Sequence, residues 1–227
     1  MNFPILSSVI FLPLLGATFI FLSKSQKNNQ SAIYVSLFTS IANLFLVLFL
    51  WHSFDKNTTA FQFVEESNWI NGFIKFKLGI DGISILFIVL TAFITPICVI
   101  SCINSVKERV KEFLIAILIL ETFMIGVFCS LDLVIFYIFF EAGLIPMFLI
   151  IGVWGGARRV YSAFKFFLYT LLGSVLMLVA IITIYWITGT TDIIQINEIK
   201  IPKDFQYILW LAFFSSFAVK TPMWPVH

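Results

Sequence analysis

The sequence predicts an all-α integral membrane protein with about seven transmembrane helices. Of its 227 residues, 60% are hydrophobic, only 11% are charged and 28 are phenylalanine. Soluble domains carry about 25% charged residues, so a water-soluble globule is excluded. The apolar residues fall in long runs that lack the alternating pattern of a membrane β-barrel, which makes helices the expected spanning structure.

Seven apolar runs define the predicted spans, and each is close to the roughly 20 helical residues that cross a bilayer. The first run has no basic residue before it and no small-residue cleavage site, which favours a retained helix over a signal peptide. The longest connecting segment is too short for a separate soluble domain. Residues 1–227 are therefore expected to form a single transmembrane domain, whose spans lie at 3–22, 31–51, 82–103, 113–130, 131–151, 163–187 and 206–227.

The charges of the connecting loops predict an orientation. The loops after spans one, three and five contain seven Lys and Arg with two Glu, whereas the other loops contain five Lys and eight acidic residues. Loops rich in Lys and Arg stay on the cytoplasmic or matrix side of a membrane. The N-terminus is therefore expected on the periplasmic side of a bacterial inner membrane, or on the intermembrane side of a mitochondrial inner membrane.

The composition also narrows the class of function. A net charge of +2 leaves no basic surplus for binding nucleic acid. Cys98, Cys102 and Cys129 fall inside apolar runs, where they are expected to act as small hydrophobic residues. The sequence has no zinc-ligand spacing and no Gly-rich phosphate loop. No metal or cofactor is therefore expected in this chain, and its first expected partner is the lipid bilayer.

Two acidic and two basic residues remain inside the predicted spans, and they are the candidate functional residues. Glu121 lies in span four, Glu141 in span five, Lys165 in span six and Lys220 in the last span. A charge at the bilayer centre costs at least about 2.5–3.5 kcal/mol. Each of the four residues therefore needs a partner, a water-filled cavity or a changed protonation state.

A proline lies within five residues after Glu141 and within two residues after Lys220. Pro146 cannot donate to the carbonyl of Ala142, so span five is expected to kink beside the Glu141 carboxylate. Pro222 and Pro225 remove two more donors, which predicts a broken last helix at Lys220. Interrupted helices recur where transporters bind ions at mid-membrane depth. The alternative interpretations are a structural carboxylate that joins two helices and a lysine that extends to the inner interface.

The remaining candidates each keep two interpretations. Glu121 has no proline nearby, and it serves either in a hydrogen bond between helices or in an ion path. Lys165 lies two residues inside span six, where it can extend to the inner interface or take part in the same path. His227 is chemically suited to relay a proton. These three residues form a possible proton path beside Glu141 and Lys220.

Three stretches of the sequence resemble the antiporter-like, proton-translocating subunits of respiratory complex I, the NADH-quinone oxidoreductase. They are Leu78–Ser84 before span three, Leu131–Met147 in span five, and Phe217–Pro222 with Pro225 and His227 in the last span. The second and third stretches are specific, and the resemblance covers nearly the whole chain. In that family the glutamate matched by Glu141 pairs with the lysine of a broken helix, matched by Lys220.

The resemblance implies a proton channel that is a subunit of an enzyme but has no redox chemistry of its own. NADH, FMN, iron–sulfur clusters and quinone would be bound by partner subunits, and other membrane subunits of complex I would be its neighbours. Family members contain two inverted repeats and continue past the broken helix. The chain would therefore be an incomplete antiporter-like inverted-repeat bundle, truncated within helix seven, from a partial sequence or an interrupted gene.

Two other functions fit the same pattern. Multisubunit cation/proton antiporters and membrane-bound hydrogenases share the glutamate and lysine pattern, so the chain is alternatively a subunit of one of these. A non-conducting structural fragment that only contacts its neighbours is the third interpretation.

Overall fold

The computed structural model describes residues 4–23, 29–70 and 74–225. In these ranges the chain forms nine helices and a two-stranded antiparallel hairpin. The elements are α1 Ile5–Leu22, α2 Asn29–His52, β1 Gln62–Ile70, β2 Ile74–Ile80, α3 Ser84–Ser105, α4 Val110–Cys129, α5 Leu133–Ala142, α6 Leu144–Trp154, α7 Arg159–Thr188, α8 Ile193–Glu198 and α9 Lys203–Lys220.

The prediction of an α-helical membrane bundle is confirmed. Within the described ranges, six helical segments are long and apolar enough to cross a membrane, and one of them joins α5 and α6. They are Ile5–Leu22, Asn29–His52, Ser84–Ile103, Val110–Cys129, Leu133–Trp154 and Arg159–Thr188. The seventh predicted span overlaps α9, whose charged residues Lys203, Asp204 and Lys220 keep it out of this group. His227 lies outside the described residues.

The hairpin β1–β2 was not predicted, and it lies across one end of the bundle. Its β1 residue Glu65 accepts hydrogen bonds from the backbone amides of Leu6 and Ser7, at 2.7 and 3.0 Å. A carboxylate at the amino end of a helix satisfies free amides and faces the positive end of the helix dipole. The apolar side chains Leu78 and Ile80 of β2 lie in the core beneath. The hairpin is thus a packed part of the fold.

Asp81 joins the hairpin to α3. Its carboxylate accepts a hydrogen bond of 2.7 Å from the amide of Ser84, the first residue of the helix. Partial burial alone would raise the pKa of Asp81, but hydrogen bonds from Ser84 and the Ile83 amide hold that pKa below its usual value. The connection therefore favours an ionised carboxylate at the amino end of α3.

The loops gather at two opposite ends of the bundle. At the hairpin end, the Leu131 amide donates to the Lys77 carbonyl at 2.9 Å, and the Ile193 amide donates to the Leu131 carbonyl at 3.0 Å. At the other end, the Trp154 indole donates to the Glu108 carbonyl at 2.9 Å. The loops after α2, α4 and α7 thus meet at one end, which is the same grouping that the charge pattern gives.

Close packing between α4 and α5 holds the segment that carries Glu141. A Cβ added to Gly126 of α4 would lie 2.6 Å from the ring of Phe139 on α5. Phe139 is buried, so the absence of a side chain at Gly126 permits this approach of the two helices.

Gly126→Ala is expected to destabilise the protein by about 1–3 kcal/mol, because the added methyl overlaps the buried Phe139 ring. Thermal unfolding of the purified protein in lipid nanodiscs measures the change. Gly152→Ala is the matched control, since a Cβ there meets Ala163 at an ordinary 3.5 Å. Equal unfolding temperatures for both variants would contradict the close packing at Gly126.

Candidate functional site

Glu141 lies in the last turn of α5, where the helix is interrupted. The interruption is at Gly143, between α5 and α6, in the turn that Pro146 deprives of an amide donor. The φ and ψ angles of Gly143 are −61° and −19°, so the chain bends but stays close to a helix. The Glu141 side chain is half-buried, and its Oε1 has no hydrogen-bond partner among the described residues. The carboxylate therefore has one oxygen available to a donor.

The amino end of α5 is fixed by Asp132. Its Oδ1 accepts hydrogen bonds from the amides of Val134 and Ile135, at 2.8 and 3.2 Å, and its Oδ2 accepts one from the Thr191 hydroxyl. This is an N-cap, which satisfies amides that have no partner within the helix. Because α5 is only 10 residues long, the position of Glu141 follows directly from the position of this cap.

Lys220 ends α9, in front of Pro222. The Thr221 and Met223 amides donate to the Phe217 and Ala218 carbonyls, both at 2.9 Å, and close the final turn. The proline cannot donate to the same turn, so the helix ends here. The predicted break at Lys220 thus appears as a helix terminus within the described residues.

The structure places the Lys220 ammonium beside Glu141 without a direct ion pair. Lys220 Nζ donates to the Phe140 carbonyl at 2.7 Å and lies 3.3 Å from the centroid of the Phe140 ring. It interacts electrostatically with Glu141, but no ion pair within 4.0 Å joins the two in the described part of the chain. Lys220 is also an exposed residue rather than a buried one. A carbonyl and an aromatic face stabilise its charge here.

Further polar groups lie on α5, α7 and α9, and sequence reasoning missed them. Tyr137, one turn before Glu141 in α5, interacts with Ser174 of α7 and electrostatically with Glu141. The hydroxyl of Ser216, one turn before Lys220 on α9, is buried without a partner among the described residues. These side chains are uncharged, so the cost of a charge in lipid does not single them out in the sequence. Helices α5 and α7 thus both contribute polar groups that interact with one another near Glu141.

Two other predicted path residues, Glu121 and Lys165, have their own contacts. Glu121 of α4 is buried, and its Oε1 accepts a hydrogen bond of 2.9 Å from Asn43 of α2, which sequence reasoning also missed. Lys165 is exposed on α7, with its Nζ 6.0 Å from the centroid of the Tyr161 ring. No hydrogen bond or ion pair in the described ranges joins Glu121 or Lys165 to the pair.

The described residues contain no group of three or more His, Cys, Asp or Glu that could hold a metal ion.

A second charged contact lies at the hairpin end. Lys77 Nζ of β2 is 2.5 Å from Asp192 Oδ2 before α8, and the two side chains are only 11% and 4% exposed. Asp192 also caps α8 by accepting the Ile194 amide at 2.9 Å. The backbones of Asp132 and Asp192 pair as an isolated β-bridge, so the contact links the hairpin to the start of α5. This ion pair therefore supports the cap that positions Glu141.

Comparison with known proteins identifies relatives of the chain. Residues 130–227 match the family model described as "NADH:quinone oxidoreductase/Mrp antiporter, TM". The chain is 49% identical to NADH-quinone oxidoreductase subunit M of Rhodobacter capsulatus, over 98% of this chain and 46% of that protein. It is 48% identical to NADH-ubiquinone oxidoreductase chain 4 of Marchantia polymorpha, over 98% of this chain and 45% of that protein.

A solved structure has the same fold. A chain in the respiratory complex I structure from Thermus thermophilus with bound NADH matches with a TM-score of 0.85 and 25% sequence identity, over 98% of this chain and 45% of that chain. The fold is that of an all-α membrane protein that matches an antiporter-like subunit of respiratory complex I. The chain is homologous to NADH-quinone oxidoreductase subunit M and NADH-ubiquinone oxidoreductase chain 4, as the sequence predicted, and spans about half the length of these relatives.

Lys77→Met is expected to destabilise the protein by about 3–5 kcal/mol, because it leaves the buried Asp192 carboxylate without its cation. Thermal unfolding in lipid nanodiscs measures the loss. Lys75→Met is the matched control on the same strand. Lys75 pairs with Glu66 at the same 2.5 Å, but in an exposed contact, where the hydrogen bond and charge of Glu66 raise the pKa of Lys75. Equal unfolding temperatures for the two variants would show that the contact between Lys77 and Asp192 does not stabilise the protein.

Proposed function

We propose that the chain is a proton-translocating membrane subunit of NADH:quinone oxidoreductase, respiratory complex I, and a multi-pass protein of a bacterial or mitochondrial respiratory membrane. The observation that carries the proposal is the contact of the Lys220 ammonium with the Phe140 carbonyl, next to Glu141 with its unpaired Oε1. Relatives that are close to half identical and bear the names of subunits of this enzyme support it.

The proposed mechanism is a proton switch between Lys220 and Glu141. A lysine beside a carboxylate holds its proton more tightly than a lysine beside a neutral carbonyl. A small rotation of the Lys220 side chain moves its ammonium between the Phe140 carbonyl and the Glu141 carboxylate, which are on adjacent residues. Such a movement changes the proton affinity of the lysine without breaking the fold. The bend at Gly143 is the point where α5 and α6 can change their relative angle and drive it.

The remaining parts of the proposal follow from the loops and the partners. The end that contains the loops after α1, α3 and α6 faces the cytoplasm or matrix, because these loops hold seven of the twelve basic loop residues and only two of the ten acidic ones. The N-terminus then lies on the periplasmic or intermembrane side. Other membrane subunits of complex I are the neighbours within the bilayer. NADH, FMN, iron–sulfur clusters and quinone belong to partner subunits, and this chain performs no redox chemistry itself. The chain acts as a single transmembrane domain.

Glu141→Gln, made in the full-length protein within the intact complex, is expected to abolish most NADH-driven proton pumping and to slow quinone reduction. The amide has the shape of the carboxylate but neither its charge nor its proton exchange, so assembly is expected to persist. Fluorescence quenching of a pH-sensitive dye in membrane vesicles measures pumping, and native electrophoresis measures assembly. Glu112→Gln, an exposed change at the other end of the bundle, is the control. Normal pumping by the Glu141 variant would refute the proposal.

Lys220→Arg is expected to reduce proton pumping about as much as Lys220→Ala. Arginine keeps the positive charge and can still donate to the Phe140 carbonyl, but it does not release a proton in proteins. The same vesicle assay separates the two roles of the residue. Pumping that survives in the arginine variant and is lost in the alanine variant would show that Lys220 supplies only charge.

A further inference from the structure

A buried polar contact joins α2 to α4, apart from Glu141 and Lys220. Asn43 is 0% exposed and Glu121 is 2% exposed. Asn43 Nδ2 donates to Glu121 Oε1 at 2.9 Å. The other oxygen of each side chain, Asn43 Oδ1 and Glu121 Oε2, is buried without a hydrogen-bond partner among the described residues. Two buried acceptors without donors, on two side chains already bonded to each other, require a physical explanation.

One hydrogen atom on Glu121 would complete the hydrogen bonding of the Asn43–Glu121 pair. The amide of Asn43 has donors and an acceptor, whereas an ionised carboxylate has acceptors only. An ionised Glu121 therefore leaves Asn43 Oδ1 with nothing to accept. A proton on Glu121 Oε2 supplies an O–H donor to Asn43 Oδ1, while the existing hydrogen bond from Nδ2 stays in place. The two bonds close a ring between two planar groups, and both unpaired atoms are satisfied at once.

The surroundings supply no alternative partner for a charged Glu121. The residue lines an apolar groove of about 330 Å³ between α3, α4 and α6. The hydroxyls of Thr91 and Thr95 in that groove donate to carbonyls of their own helix, and Cys98 is its other titratable group. Among the described residues of the elements packed on α4, the charged Lys77 of β2 is paired with Asp192, and the Glu141 carboxylate of α5 faces Tyr137 and Lys220. No cation therefore balances a carboxylate at Glu121 in this part of the chain.

We propose that Glu121 holds a proton and forms a neutral acid–amide pair with Asn43, which fixes α2 against α4 and stays outside the proton route. Asn43 is the positioning residue of this pair. The carboxyl keeps its proton because ionisation would break the bond to Asn43 Oδ1 inside an apolar groove. The proposal stands independently of the switch at Glu141 and Lys220.

Glu121→Gln tests the proposal in the full-length protein within the intact complex. Glutamine presents an amide that makes the same two hydrogen bonds with Asn43. Assembly and proton pumping are therefore expected to stay within about twofold of the wild type, since the number of hydrogen bonds is unchanged. An assembled variant that no longer pumps would overturn the proposal, because it would place Glu121 in the proton route. A variant that fails to assemble would also overturn it.

Infrared spectroscopy gives a readout that packing alone would not move. The wild type is expected to show a protonated-carboxyl C=O band at neutral pH that disappears in Glu121→Gln and shifts in Asn43→Leu. Absence of a band that depends on Glu121 would mean an ionised carboxylate and would overturn the proposal. The double variant Asn43→Asp/Glu121→Gln exchanges the acid and the amide between the helices at constant shape. It is expected to assemble like the wild type and to regain the band, and failure on either count contradicts the ring.

Discussion

A polar group inside a bilayer has no water to bind, and leaving it without a partner costs free energy. This cost determines which partners the polar side chains inside this chain have. The Lys220 ammonium donates to the Phe140 carbonyl and lies over the Phe140 ring. The Glu121 carboxyl accepts a hydrogen bond from Asn43. Threonine and serine hydroxyls mostly donate to carbonyls one turn back in their own helices, as Thr170 and Thr183 do. Glu141 Oε1, like Glu121 Oε2, is buried without a hydrogen-bond partner among the described residues.

Because Glu141 Oε1 has no partner among the described residues, a small movement of a neighbouring donor would change the hydrogen-bond energy of this carboxylate. A lysine beside a carboxylate has a higher proton affinity than a lysine beside a carbonyl, which is the difference that the proposed switch uses. The interruption at Gly143 and the end of α9 lie next to these two residues. Gly126 packs against Phe139 and Gly173 packs against Val219, so the helices that carry Glu141 and Lys220 lie close against their neighbours.

The loops at the hairpin end of the bundle fix the amino end of α5, the helix that carries the Glu141 carboxylate. Glu65 caps α1, Asp132 caps α5 and Asp192 caps α8, and the Lys77 contact with Asp192 joins two of these loops. Each cap satisfies amides at a helix start, where hydrogen bonds within the helix are missing.

The sequence predicted the features that depend on one residue, such as a charge or a proline inside a span. It did not predict the contacts that depend on two residues distant in the chain. The cost of a charge in lipid was enough to find Glu121, Glu141 and Lys220, and proline chemistry was enough to place the interruptions near the last two. Asn43 gave no signal because an amide in an apolar run resembles any other tolerated polar residue until its partner is known. Lys77 was counted as a loop charge because its partner Asp192 is 115 residues away. The hairpin had a readable signal, since apolar residues alternate with Lys75, Lys77 and Gly79 along β2.

The most direct test of the account is nitrogen NMR of isotopically labelled Lys220 in the intact membrane complex, recorded at rest and during NADH oxidation. If the proton switch operates, the Lys220 amine alternates between charged and neutral forms during turnover, and this alternation disappears in Glu141→Gln. A Lys220 that stays fully protonated while the complex pumps protons would contradict a switch at this lysine.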